Sequence, residues 1–145
     1  MPIFRRRSAD RVTERPESRI VAPAQLAQLA EIGQQFFRGQ RLHVDVTSFY
    51  LPGLLAAGAP GPESEEWRSF NERLLSELID AADADGSGWA WAGALYVAKD
   101  LDMDVTVPGY TTIIDRSVPF LVDAGCTGWI PPFAMDAYHQ RPGAR

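Results

Sequence analysis

A stripe of apolar side chains at helical spacing, between residues 63 and 85, constrains the fold most strongly. Apolar residues at steps of three and four lie on one face of an α-helix, and that face is buried against a core. Glu65 and Glu66 favour the positive end of the helix dipole, and the glycines at 86 and 88 predict the end of the helix. The stripe consists of Trp67, Phe70, Leu74, Leu78 and Ala82, with Leu75 and Ile79 widening it.

Similar apolar spacing predicts further helices on both sides of this segment. Two of them have alternatives: the residues around Trp89 and Trp91 also fit a strand, and residues 105–107 could pair with 110–114 as a hairpin. We favour the helix in both places, with Pro119 removing one backbone hydrogen bond. The predicted helices cover residues 23–38, 49–57 (broken near Pro52 and Gly53), 89–101, 110–124 and 133–139.

One segment has the alternation of a half-buried strand rather than a helical period. In residues 41–47, Leu42, Val44 and Val46 alternate with His43, Asp45 and Thr47. The sequence therefore predicts a helix-dominated α+β fold of four to five helices. Its minor strand component covers residues 41–47 and, in a second interpretation, residues 105–107. An all-α fold is the alternative.

Length and composition indicate one ordinary domain. The chain has 145 residues, and 46% of them are hydrophobic. Cys126 is the only cysteine, which excludes an intrachain disulfide. The apolar run at residues 89–98 is far shorter than the roughly 20 residues that span a bilayer, and the basic N-terminus lacks the apolar stretch of a signal peptide. A single lysine among many arginines suggests a high-GC bacterial genome, and we expect a soluble cytoplasmic protein.

Charge is divided unevenly along the chain. Residues 1–21 form a predicted flexible, arginine-rich tail, and residues 22–145 form the domain. The formal net charge of the whole chain is −5, and the negative charge is concentrated between Glu63 and Asp104. An acidic body argues against nucleic-acid binding by the domain and favours a basic protein partner. The candidate partner-binding residues are Glu65, Glu66, Asp83, Asp85, Trp89 and Trp129.

A run of carboxylates provides an alternative, enzymatic interpretation. Asp102, Asp104 and Thr106 resemble the D-x-D-x-T motif of haloacid-dehalogenase-like phosphatases, in which the two aspartates act on phosphorus and help to hold magnesium. The apolar strand that precedes this motif in the family is replaced here by Lys99, Asp100 and Leu101, so we interpret the run as a solvated acidic turn. Asp100, Asp102 and Asp104 remain the candidate metal ligands.

A second catalytic candidate combines a histidine, a carboxylate and a thiol. His43 and Asp45 would project from the same face of the predicted strand, and with Cys126 they could supply base, orienting group and nucleophile. A lone cysteine is more often buried and inert. We therefore expect an acidic protein-interaction module without a cofactor, and a small carboxylate- or metal-dependent enzyme is the alternative.

Overall fold

The structure, a computed structural model, describes residues 19–58, 61 and 63–140. No strand occurs in these residues, so the α+β prediction is wrong and the all-α alternative is confirmed. A single 3₁₀ turn, Thr127–Trp129, separates the last two helices. The helices are α1 (Pro23–Leu26), α2 (Leu29–Phe37), α3 (Thr47–Ala56), α4 (Glu65–Asp85), α5 (Gly88–Asp100), α6 (Tyr110–Asp123) and α7 (Pro132–His139).

Helix α4 is the amphipathic helix predicted from the apolar stripe. The Ser64 hydroxyl accepts a hydrogen bond from the Trp67 backbone N–H at 3.1 Å, which caps the first turn. Gly86 follows the last turn with φ of 81°, a left-handed conformation that glycine adopts readily. Phe70, Leu74, Leu75, Leu78 and Ala82 are buried, so the stripe faces the core as expected.

Helix α5 lies at the centre of the fold, with α2, α4 and α6 packed around it. Eight of its thirteen residues are buried, and they lie on every face of the helix. Gly33 of α2 and Gly93 of α5 allow the two backbones to touch: a Cβ at Gly33 would lie 2.8 Å from the Gly93 nitrogen. The helix predicted over residues 89–101 is confirmed, and the strand alternative at Trp89 is wrong.

The segment predicted as a strand, residues 41–47, is a turn that leads into α3. The Gln35 side-chain oxygen accepts a hydrogen bond from the His43 backbone N–H, and Asp45 Oδ1 accepts from the Thr47 N–H at 3.1 Å. Side chains thus satisfy backbone groups that a strand would pair with a neighbouring strand. Leu42 and Val44 are only half-buried, because no sheet face forms beneath them.

Two predicted helices differ from the observed ones near their turns. The helix predicted over residues 23–38 is divided at residues 27–28, where the Gln28 N–H bonds to the Gln25 carbonyl, three residues back, at 3.0 Å. Helix α3 continues through Pro52, so the break predicted there is wrong. Gly53 serves packing instead: a Cβ at this position would lie 2.7 Å from the Ile20 Cα.

The C-terminal helices were predicted correctly. Helix α6 runs continuously from Tyr110 to Asp123 with Pro119 inside it, and Gly125 follows in the left-handed conformation. Residues 105–107, the second candidate strand, form turns, and the Val107 N–H bonds to the Asp104 carbonyl at 3.1 Å. The hairpin alternative is therefore wrong, and the short helix near the end of the chain is α7.

The start of the described chain is part of the core. Ile20 and Val21, which the sequence interpretation assigned to the tail, are 2% and 0% exposed. Their backbone N–H groups donate to the two carboxylate oxygens of Glu77, at 3.0 and 3.1 Å. Residues 1–18 of the predicted tail lie outside the described residues. Within the described ranges, none of the helices has the length and apolarity needed to cross a membrane.

Candidate functional site

Three of the candidate aspartates have the same local role. Each carboxylate accepts two hydrogen bonds from the serine or threonine two positions further on, one from the backbone N–H and one from the hydroxyl. In the order Asp45, Asp85 and Asp104, the distances from the backbone nitrogen to the carboxylate oxygen are 3.1, 3.3 and 2.9 Å. The distances from the hydroxyl oxygen are 2.7, 2.5 and 2.6 Å in the same order. The D-x-S/T pattern in this chain is therefore a turn motif. The three pairs are Asp45–Thr47, Asp85–Ser87 and Asp104–Thr106.

The carboxylates of the acidic run are directed to different neighbours. The Tyr50 hydroxyl donates to Asp100 Oδ2 at 2.5 Å, while Asp104 is held by Thr106 and Asp102 lies exposed between them. Burial and the Asp100 carboxylate raise the pKa of Tyr50 well above its usual value. In the described part of the chain, no group of three or more histidine, cysteine, aspartate or glutamate side chains is placed to hold a metal ion.

The proposed combination of His43, Asp45 and Cys126 is not assembled by hydrogen bonds. His43 is exposed, and the Asp45 carboxylate is occupied by Thr47. Cys126 is buried, and its thiol donates weakly to the Ala124 carbonyl at 3.8 Å. Among residues 19–58, 61 and 63–140, no hydrogen bond links the three side chains. The environment of the thiol is that of an inert structural cysteine.

The four acidic candidates for partner binding lie at opposite ends of α4. Glu65 and Glu66 form its first turn, and Asp83 and Asp85 its last. At 1.5 Å per residue the two pairs are roughly 25 Å apart along the helix axis. They therefore belong to two separate surfaces rather than to one acidic patch.

The N-terminal pair lines a cavity at the C-terminal end of α3, a helix that also carries two exposed leucines. A cavity of about 360 Å³ separates the end of α3 from the first turns of α4. Leu51 and Leu55, one helical turn apart on α3, are 42% and 63% exposed. We call these two leucines and this cavity the α3–α4 surface. The cavity is lined by Ala57, Glu65, Glu66, Ser69, Phe70 and Arg73.

The two candidate tryptophans have different surroundings. Trp89 is half-buried and packs edge-on against Phe120, with ring centroids 4.8 Å apart. Trp129 is 49% exposed and leans edge-on against Phe36 at 5.5 Å. Trp129 therefore remains available to a partner, whereas Trp89 mainly connects α5 to α6.

A second cavity, of about 180 Å³, was not anticipated from the sequence. It lies between α4 and the turn that precedes α6. One of its lining residues, Asn71, is only 3% exposed and stands on the apolar stripe, four residues after Trp67. A polar residue at a core position was the signal that could have identified this site. The cavity is lined by Trp67, Arg68, Asn71, Asp102, Met103, Asp104, Thr106 and Val107.

Comparison with known proteins gives no further information about this chain. No protein-family model, no curated protein and no solved structure matches it. Functional inference therefore depends on the surfaces described above.

Proposed function

We propose that this protein is an interaction module that binds a basic, amphipathic segment of a protein partner on the α3–α4 surface. The observation that supports this most directly is Leu55, which is 63% exposed on a helix whose other residues are mostly apolar. Leu51 extends the same face. A helix that is apolar on all sides is normally buried, so this face is suited to being covered by another protein.

The charge beside this face indicates the chemistry of the partner. Glu65 and Glu66 are exposed and line the cavity together with Ala57, the residue that follows α3. An amphipathic helix with leucine-like side chains on one face and lysine or arginine at its edges matches both features. The carboxylates would speed association and orient the partner, and the leucines would supply most of the buried apolar area.

A designed peptide can test the proposal without knowledge of the natural partner. The probe is a fluorescein-labelled peptide of leucine and lysine with leucines at helical three- and four-residue steps. A peptide of the same composition but scrambled order has the same charge and lacks the apolar face. We expect fluorescence anisotropy to show saturable binding of the first peptide, weakened by salt, and much weaker binding of the second.

A pair of charge-reversal variants locates the binding surface. Glu65→Lys with Glu66→Lys should weaken binding about tenfold or more. Asp80→Lys with Asp83→Lys makes the same change in net charge near the other end of α4 and leaves the Asp85–Ser87 turn intact. This control should change affinity less than about twofold, because its charges lie well beyond a Debye length of about 8 Å. Equal losses in both variants, or no binding by the unmodified protein, would contradict the proposal.

A further inference from the structure

The cavity between α4 and the turn that precedes α6 is lined mainly by groups that accept hydrogen bonds or attract positive charge. The cavity has a volume of about 180 Å³. Asp102 and Asp104 lie at its exposed side, while Asn71 and Met103, each 3% exposed, form its floor. Such a site is small, partly enclosed and polar on one side.

Asn71 provides an observation that is independent of the aspartates. Its side-chain oxygen is buried and accepts no hydrogen bond. An unsatisfied buried acceptor costs about 1–3 kcal/mol relative to a satisfied one, and native proteins contain few of them. A hydrogen-bond donor placed in the cavity would satisfy this oxygen.

The two aspartates add negative charge that faces the same donor. Hydrogen bonds from the hydroxyl and the backbone N–H of Thr106 hold the pKa of Asp104 below its usual value, so its carboxylate is ionised near neutral pH. These bonds involve only Oδ1. Asp102, which has a φ of 56°, is exposed and lines the same cavity, so it supplies a second carboxylate.

The positive group that lines the cavity is already engaged. Arg68 donates from Nη2 to the Thr106 carbonyl at 2.8 Å, and its Nε lies 3.2 Å from a carboxylate oxygen of Glu72. Its charge acts on Asp104 as well as on Glu72, and one guanidinium does not balance the carboxylates of Asp102 and Asp104, so the cavity keeps net negative charge. The indole of Trp67, which stacks on Phe70, adds an electron-rich aromatic wall.

From this arrangement we infer that the cavity binds the ammonium or guanidinium group of a small organic cation, with Asn71, Asp102 and Asp104 as acceptors and Trp67 as the aromatic wall. This site is separate from the α3–α4 surface. Residues 67, 68 and 71 project from the face of α4 opposite to residues 65, 66 and 69, as the 100° rotation per residue requires. The inference therefore does not depend on the proposed function.

The cation can be a free small molecule or the end of a lysine or arginine side chain, since both present the same donor group. Butylamine and methylguanidine serve as free probes, and N-acetyl-lysine-methylamide presents the ammonium as a polypeptide does. Butanol is the neutral control of matching size. Titrations followed by ¹H–¹⁵N NMR should shift the side-chain amide of Asn71 and the indole N–H of Trp67 with the cations and not with butanol.

Variants separate this site from general electrostatic attraction. Asp104→Asn removes the charge and keeps an acceptor for the Thr106 turn, and Asp102→Asn retains a residue that tolerates positive φ. Each should raise the dissociation constant about fivefold or more. Asp85→Asn makes the same change in the equivalent turn with Ser87 and should have no effect.

Each result of the titration has a defined meaning. Binding of both butylamine and the lysine derivative supports a site open to a protein side chain, and binding of the free cations alone supports a small-molecule site. Equal shifts with butanol, equal losses in Asp85→Asn and Asp104→Asn, or no shifts with any cation would each overturn the inference. None of these outcomes bears on the α3–α4 surface, which Glu65→Lys with Glu66→Lys tests separately.

Discussion

Helices α3 and α5 have similar apolar compositions but different environments. Helix α5 is enclosed by α2, α4 and α6, and its residues are buried on every face. Helix α3 buries Phe49 and Tyr50 and leaves Leu51 and Leu55 exposed. The comparison shows that apolar character on all faces leads to burial only where other helices can reach each face. We propose that the uncovered face of α3 is a binding surface.

The means by which α5 is enclosed can be identified. Glycine and alanine along the crossing of α2 and α5 bring the two backbones into contact, so that little space remains between them. Helix α3 has one comparable contact, at Gly53 against Ile20. The following predictions test this difference, beginning with the largest expected effect.

Gly93→Ala should have the largest effect on the stability of the protein. The added Cβ would overlap the Leu29 carbonyl oxygen, a backbone atom that cannot move without separating α2 from α5. We expect a loss of about 5 kcal/mol or more in the free energy of unfolding, above the usual range for overpacking, because the clash is with backbone. Gly128→Ala is the matched control, because its Cβ meets nothing within 4 Å. Equal urea midpoints for the two variants would show that the crossing is not tightly packed.

The same leucine-to-alanine change should lower the free energy of unfolding strongly on α5 and very little on α3. Leu95 of α5 is fully buried, and its truncation should cost about 2–5 kcal/mol. Leu55→Ala on α3 should change stability by less than about 0.5 kcal/mol, since the side chain is mostly in water. Chemical denaturation of both variants measures the difference. A large loss in Leu55→Ala would mean that this face is already covered.

Removal of the Glu77 carboxylate should loosen residues 20 and 21, of which Ile20 packs against Gly53 of α3. Glu77→Ala leaves the N–H groups of Ile20 and Val21 without their acceptor, at a cost of about 1–3 kcal/mol. Glu72→Ala is the control: it removes an exposed ion pair with Arg68, which should contribute less than about 1 kcal/mol. Hydrogen exchange at residues 20 and 21 should increase in the first variant only.

A smaller, pH-dependent effect is expected at the buried side of α6. Tyr110 is 0% exposed, and burial together with the nearby Asp104 charge raises its pKa well above 10. In the unfolded chain the phenol ionises near pH 10, whereas in the folded state it remains neutral. Ionisation of the phenol therefore favours the unfolded state. The free energy of unfolding is unaffected by it below pH 10 and decreases as the pH rises further.

Tyr110→Phe should reduce that alkaline loss and leave stability at neutral pH unchanged or slightly higher, because the buried hydroxyl has no hydrogen-bond partner. Urea unfolding of this variant and of the unmodified protein at pH 7 and near pH 10.5 measures the difference. If the variant keeps the full alkaline decrease, Tyr110 does not contribute to it.

Much of the fold could be predicted because local signals agree with the final structure. Helix α4 ends at Gly86, where the glycines predicted its end, and α6 stops before Gly125. The strand predicted at residues 41–47 failed because alternation reports local periodicity and contains no information about a neighbouring strand. Helices surround this segment, and the side chains of Gln35 and Asp45 satisfy its backbone.

The candidate sites were harder to predict because they depend on which helices meet. The aspartates that resembled catalytic groups are turn residues, a role that the D-x-S/T spacing itself encodes. The separation of Glu66 from Asp83 follows from helix length once α4 is known to be continuous. The exposure of Leu55 could not be predicted, since an apolar helix is ordinarily buried.

The most direct test of the α3–α4 surface is binding of the leucine–lysine peptide to a variant altered on α3 alone. We predict that Leu51→Ser with Leu55→Ser weakens binding at least tenfold without lowering the urea midpoint. A serine at Val122, which is similarly exposed on α6, should leave affinity unchanged. Unchanged affinity in the α3 variant, with the protein still folded, would contradict the assignment of this face as the partner-binding surface.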